Sequence, residues 1–494
     1  MSKKCILGSI IHSVQFGSVE VIKEGALIFN ESGVIEALLD VTLPASKPIL
    51  AAIEPSNVLD HSNKLIIPGF VDAHCHAPQY YFTGTGVDMD LMQWLETYTF
   101  PVEARFKDLD FASKVYEKSV KRHLKSGTTF ASYYATIHKP AALALTEIIE
   151  NIGQRAFVGK VAMDRNSPEI LVESTENSVD ETEDFARQVL NHTEAGREFL
   201  TKIDNEISQG KYDSSCEYAN RPTLLNQVAS PLVLPCITPR FVPTCTAKSM
   251  SGLGKISHKY GLPVQSHLSE SLNEIAFVKS LHPEATTYAG VYEVNGLLHK
   301  GAIMGHSIHC SEEELALLKR TDTAVVNCAS SNFLLGSGIM DVRRFVDAGI
   351  RVGLGTDVAG GASASMLDCM RNTLSASRAM GFRSRQDGVP PSMNELDLVD
   401  GAATSPYKWL NTNEVFHLAT QGGAEALGMG DVVGNFKVGK KLDCVVVDVN
   451  AEDSPIDTFG EENVYNLFEK FVYIGDDRNI AQVLVNGKVV AHNN

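Results

Sequence analysis

The sequence has no apolar run of about eighteen residues, the length a helix needs to cross a bilayer. It also lacks any CxxC pair. Its nine cysteines are scattered from Cys5 to Cys444, and an odd, unclustered set argues for reduced thiols in a reducing compartment rather than a disulfide framework. There is no basic block. With 43 Lys and Arg against 60 Asp and Glu, the formal net charge is −17, so a polyanion is repelled on average. That excludes nucleic acid and acidic membranes as expected partners and suits a neutral small molecule. No low-complexity tract and no repeat at solenoid period is present. The start, MSKKCILGSIIHSV, makes a poor signal peptide, and the end, VVAHNN, matches no sorting signal. The expected location is cytoplasmic.

What remains is the composition of a globular chain, 44% hydrophobic and 21% charged over 494 residues. That length predicts one large domain and a smaller one. Eight short β-rich runs recur along the chain: KLIIPGFVDAH, GTTFASYY, RAFVGKVAMD, LVLPCITPRF, PVQSHLSE, AIMGHSIH, AVVNCASSN and RVGLGTDVAG. Between them lie stretches such as SEEELALLKRTD, whose apolar residues recur at three and four positions behind a serine cap. Eight strand–helix units over about 300 residues predict an α/β fold, a (β/α)8 TIM-type barrel.

The ends read differently. EVIKEGALIFNESGVIEALLDV reads as a hairpin turning at Asn-Glu-Ser-Gly, and NIAQVLVNGKVVAH as another turning at Asn-Gly. Neither end carries enough apolar residues to fold alone, so the two are expected to build one small β-sandwich together. The expected division is 1–70 and 435–494 for that composite domain and 71–434 for the barrel. The polar, Pro-Pro-containing segment 381–413 reads as a loop insertion.

In a barrel, functional side chains come from the C-terminal strand ends. The first run ends in His74-Cys75-His76, and strand alternation puts both imidazoles on one face. The fifth run ends with His267 and Glu270, the sixth with His306 and His309, the eighth with Asp357. His74, His76, His267 and Asp357 together make a four-ligand set for a divalent metal, whose bound water would be acidified toward neutral pH. Glu270, three residues beyond His267, reaches over the same mouth and is the candidate general acid/base. Competing readings are an N-cap role for Asp357 and a first-turn role for Glu270. His306 reads as a catalytic or supporting residue and His309 as structural. His123, His258 and His299 lie in helical patterns and are expected at the surface.

These strand-end residues resemble the amidohydrolase superfamily, with HxH, His, His and Asp on strands one, five, six and eight. PGFVDAHCHAPQYYFTGTGVDMDLMQWLETYTFPVEARF, CITPRFVPTC, QSHLSE, GHSIHCSEEE, NCASSNFLLGSG and GLGTDVAGG are more closely similar to the guanine deaminase family, in its order, over residues 66 to 365. The resemblance implies hydrolytic removal of the 2-amino group of guanine by a zinc-activated hydroxide, in purine catabolism. It implies His74, His76, His267 and Asp357 as zinc ligands, Glu270 as proton shuttle, and His306 and Asp357 as the groups orienting hydroxide. Gln79, Arg240 and Phe241 would bind the base together with His267, Glu270 and Asp357, Arg240 facing the 6-oxo oxygen. It also implies a homodimer. Two-metal members place a carboxylated lysine at the end of strand four, where this chain has Arg240; Lys160 lies inside strand three. One zinc per chain is therefore expected. Two readings compete: a related enzyme deaminating a pterin, triazine or adenine-type base, and a non-catalytic barrel that binds protein partners. An H-x-E/P-C-x-x-C deaminase is excluded, since Pro235-Cys236 has no second cysteine three positions on.

Overall fold

The computed structural model describes residues 3–211, 224–225, 229–386 and 407–492. Eight strand positions close a parallel barrel. Its first half is β5 (Phe70–His76), β6 (Thr128–Tyr134), β7 (Arg155–Gly159) with its short continuation β8 (Val161–Ala162), and β9 (Val233–Pro235) with β10 (Thr238–Pro239). The second half is β11 (Val264–Leu268), β12 (Ala302–His306), β13 (Ala324–Asn327) and β14 (Val352–Leu354). Neighbours within each half are parallel. A bridge between Ile237 and Val264 joins the halves on one side. On the other, Asp357 N donates to His74 O at 2.9 Å and His76 N to Val358 O at 3.1 Å. These strands are buried along their whole length, as parallel strands covered by helices must be.

The termini form a seven-stranded sheet in the order β17-β16-β15-β4-β1-β2-β3. Its members are β1 (Lys4–Gln15), β2 (Ser18–Phe29), β3 (Ile35–Asp40), β4 (Val58–Pro68), β15 (Cys444–Val447), β16 (Ile480–Val485) and β17 (Lys488–His492). The sheet curls on itself. Ile35 N donates to Lys440 O at 2.8 Å and Leu442 N to Gly33 O at 2.7 Å, so the β2–β3 turn meets the far arm. Ile6, Leu27 and Phe29 from one arm then share a core with Cys444, Val446 and Leu484 from the other. Both expected hairpins are present. In the second, Asn486 and Gly487 take φ of 49° and 69°, the left-handed pair that a two-residue Asn-Gly turn requires.

Three sequence expectations change. KLIIPGFVDAH is two strands: Val58–Pro68 belongs to the terminal sheet, and the barrel strand begins at Phe70. The break falls at Gly69, where a Cβ would sit 2.0 Å from Thr129 Oγ1, so no larger residue fits the crossover. Of the expected insertion 381–413, residues 381–386 continue the helix Met366–Gln386, and Asn411 caps the helix Thr412–Leu418. The stretch 387–406 lies outside the described residues. Finally, His123 and His299 are buried, not at the surface. His123 Nδ1 bonds Ser119 O at 2.8 Å and its Nε2 lies 3.3 Å from Cys75 Sγ, while His299 Nε2 meets Ser257 Oγ at 2.9 Å. His123 lies on the buried stripe of its helix, and His299 in a bend after the helix Tyr288–Val294. A helix between β15 and β16, Val464–Ile474, also escaped the sequence reading; its Phe468 packs edge-on against Phe416 with centroids 4.8 Å apart.

A buried arginine is one of the polar contacts that tie the barrel to the terminal sheet. Arg155, at the base of β7, donates from Nε to Asp443 Oδ2 at 2.9 Å and from Nη2 to Asn486 Oδ1 at 2.6 Å. Arg155 and Asp443 are both buried. No described helix is long and apolar enough to cross a membrane.

Candidate metal and catalytic centre

β5 delivers His74 and His76 to the mouth on alternate positions of one strand, and both are buried. His74 fits because glycines in β12 and just beyond β14 face it. A Cβ at Gly305 would stand 2.6 Å from His74 Cε1, and one at Gly355 would stand 2.7 Å from His74 Cβ. β11 delivers His267, whose Nδ1 donates to Arg240 O at 2.7 Å. That bond fixes the tautomer and turns the Nε2 lone pair inward. Beyond β14 the backbone turns left-handed at Asp357 (φ 45°), presenting the carboxylate to the histidines. Ser269, His306 and Ser307 are left-handed as well, with φ of 48°, 62° and 50°. A non-glycine residue adopts this region at a cost, and such residues concentrate at functional sites.

The four groups converge on a point. His76 Nε2 is 3.2 Å from His267 Nε2. Asp357 Oδ1 is 3.3 Å from His74 Nε2 and 3.4 Å from His76 Nε2. Four ligands held tetrahedrally at zinc–nitrogen bond lengths are spaced about 3.3 Å apart, so these distances are the edges of such a cage. His74 Nε2 is buried without a hydrogen-bond partner, with Asp357 Oδ1 3.3 Å away. One nitrogen from each of His74, His76 and His267 gathers within 4.8 Å of the others. Burial drives the pKa of His76 and His267 well below the ordinary imidazole range, assisted by neighbouring imidazoles, and lowers that of His74 despite the Asp357 charge. Neutral imidazole is the metal-binding form. For Asp357, burial favours the neutral acid, but contact with His74 and the charges of His306, His74 and His76 outweigh it. The carboxyl stays well below the usual carboxylate range. Tyr134 stacks on His76, centroids 4.4 Å apart, and locks the ring from behind.

A second layer adjoins this cage. Asp357 Oδ2 faces His306 Nε2 at 3.8 Å, and Glu270 Oε2 lies 3.6 Å from the same nitrogen. Asn332 Oδ1 accepts from His306 Nδ1 at 2.8 Å, which leaves Nε2 for the cavity. Burial disfavours a charged His306, but the Glu270 and Asp357 charges overcome it and raise its pKa. Burial raises the pKa of Glu270, whose Oε1 accepts from Ser337 Oγ at 3.0 Å. Its backbone N–H bonds Glu274 Oε2 at 2.9 Å, the same carboxylate that closes a capping box with Ser271. Glu270 is thus a cavity residue with a separate glutamate doing the capping.

Gln79, Arg240 and Phe241 line the same cavity as Glu270, His306 and Asp357. Arg240 Nη1 donates to Glu103 Oε2 at 2.6 Å, and Gln79 Nε2 to Glu103 Oε1 at 3.2 Å. One buried carboxylate therefore braces both. Glu103 escaped the sequence reading, as did Tyr134, Asn332, Ser337 and the apolar wall of Leu91, Trp94 and Leu95. Glu103 lies inside the quoted segment that ends FPVEARF, but no spacing singles it out; it sits on a helix, Phe100–Ala104, that only the fold brings beside strand four. His309 stands outside the cavity, its Nε2 bonded to Ser337 O at 2.8 Å. Lys160 is buried and engaged with Glu173 Oε1 at 2.7 Å, away from the cage. A further buried trio, Asp72, Cys75 and His123, lies behind β5. Asp72 is already committed there, accepting from Thr356 N at 2.9 Å and Thr356 Oγ1 at 2.5 Å.

The whole arrangement has close counterparts. Guanine deaminase of Dictyostelium discoideum is 39% identical over 498 residues, covering 99% of this chain and 98% of that protein. Human guanine deaminase is 37% identical over 490 residues, with 98% and 95% covered. The crystal structure of guanine deaminase from C. acetobutylicum, with guanine bound in its active site, is 33% identical, covers 99% of this chain and 100% of that one, and matches with a TM-score of 0.79. The profile of the amidohydrolase family matches residues 65–490. With that span, these relatives and this barrel, the chain belongs to the amidohydrolase family.

Proposed function

We propose that this protein is a hydrolase that removes the 2-amino group of guanine, yielding xanthine and ammonia. One observation carries the reading: a fixed guanidinium and carboxamide, Arg240 and Gln79, are braced by Glu103 beside a buried Glu270–His306–Asp357 cluster. Relatives named for that reaction match the chain from end to end. His74, His76, His267 and Asp357 would hold one divalent ion, zinc being favoured by three imidazole nitrogens and tetrahedral spacing. When bound, such an ion supplies Lewis acidity that makes hydroxide available near neutral pH.

The protein's own groups account for the rest. Glu270 is buried enough to hold a proton at a raised pKa, so it takes one from water and passes it to the purine ring as the amino group leaves. His306, committed through Nδ1 to Asn332, offers Nε2 between Glu270 and Asp357 and stabilises the negative charge of both. Arg240 has donors left after bonding Glu103, and they suit the 6-oxo oxygen. Gln79 retains one amide hydrogen beyond the one it gives Glu103. Phe241 offers an aromatic face to a flat base.

Ammonia release should be measured with guanine, adenine and cytosine, before and after a chelator and after restoring zinc. Guanine turnover that chelation abolishes and zinc restores is expected. Faster release from adenine would reject the substrate, and chelator-insensitive xanthine formation would reject the metal.

A further inference from the structure

Beside the charged groups, the cavity lining includes an apolar set: Leu91, Leu95 and Leu335, with Trp94 among them. Trp94 is 2% exposed, and its indole Nε1–H is buried without any hydrogen-bond partner. Tryptophan at such a depth ordinarily finds an acceptor, and an unpaired buried donor is costly. The ring is not loose. Phe82 packs edge-on against it with centroids 5.5 Å apart, and the helix Leu91–Trp94, capped by Asp90, passes directly into a π-helical turn at Leu95–Thr99. Single π turns recur at functional sites because they re-aim side chains.

We propose that Trp94 determines specificity by donating its indole N–H to the unprotonated nitrogen of the purine's five-membered ring. The inference rests on the guanine reading above. With C2 facing Glu270 and the 6-oxo oxygen facing Arg240, the five-membered ring is directed at the remaining wall. In either tautomer of guanine, one nitrogen of that ring carries hydrogen and the other a lone pair. A lone pair buried in this wall needs a donor. Leucine has none. Indole nitrogen is donor-only, so it accepts a base with that lone pair and disfavours one without it.

Trp94→Phe keeps a ring and deletes the donor. 7-Deazaguanine keeps the base shape and deletes the lone pair, since its pyrrole-type ring has only an N–H. The KM for guanine and the competitive inhibition constant of 7-deazaguanine should be measured for both proteins; neither depends on the fraction of enzyme that is folded. Loss of one hydrogen bond predicts a guanine KM raised roughly three- to tenfold in Trp94→Phe, with the 7-deazaguanine constant unchanged within about twofold. An unchanged guanine KM, or an equal shift for both ligands, overturns the proposal. A wild-type protein that releases no ammonia from guanine overturns instead the reading on which it rests.

Discussion

Glu270 and Arg240 sit in the same cavity and do different work, so their replacement should separate chemistry from binding. Glu270 touches no proposed ligand; its oxygens meet Ser337 and His306. Glu270→Gln should therefore keep its metal, measured by elemental analysis, and lose about 10²–10⁴ in turnover, the usual contribution of a general acid/base. Near-normal turnover would move that role elsewhere. Arg240 is tied to the cage only through its backbone, whose carbonyl orients His267. Arg240→Ala preserves that carbonyl, so metal content should survive while the guanine KM rises. It also strands Glu103 in a buried setting, which predicts a stability loss of about 3–5 kcal/mol by urea unfolding. Loss of metal instead would make Arg240 structural. At this scale the sequence was informative about residues that touch the cavity, because histidine pairs and strand-end carboxylates are rare enough to stand out. It was silent about Glu103, Asn332 and Ser337, whose partners lie 24 to 137 positions away along the chain.

Among the elements, β12 shows how one barrel strand makes room for another strand's side chain. The glycine preceding His306 could be read as a weak point in the strand, yet its bare face is the space His74 fills. Gly305→Ala would bring a methyl within 2.6 Å of the His74 ring, well inside contact distance. The imidazole must then turn away from Asp357. Reduced metal stoichiometry is expected, with a destabilisation of about 1–3 kcal/mol from overpacking; full metal occupancy would show that the ring has slack. Periodicity located all eight barrel runs, since apolar clusters bounded by glycine and polar residues survive any arrangement. It could not divide β4 from β5 at Gly69, because both halves of that run are apolar and only their destinations differ. The buried His123 was misjudged for a related reason: a histidine's place on a helix says which stripe it occupies, not which stripe the barrel covers; His299 lies in no helix at all but in a bend that packs against Ser257.

For the molecule as a whole, the joint between barrel and terminal sheet includes a buried ion pair, Arg155–Asp443, supplemented by Asn486. Breaking one partner of such a pair leaves an unpaired charge in a dry site. Arg155→Ala should cost about 3–5 kcal/mol, read as a lower urea midpoint, while metal content and guanine turnover of the folded fraction stay close to normal, since Arg155 lies at the opposite end of β7 from the mouth. A large fall in metal content without loss of stability would show that the sheet positions the cage.

By itself the sequence determined the strand–helix alternation, the contribution of both termini to one β unit, and the chemical types gathered at the strand ends. These are properties of local pattern: alternation, capping residues, and polar groups that interrupt apolar runs. Only the tertiary structure decided that three of the distances among the four candidate ligand groups match a tetrahedral edge, that one carboxylate braces both Gln79 and Arg240, and that an indole N–H is left buried without a partner. Distances between segments follow from how the barrel closes and how the backbone is bent at Ser269, His306 and Asp357, and closure is a collective result of packing that no short stretch of sequence encodes.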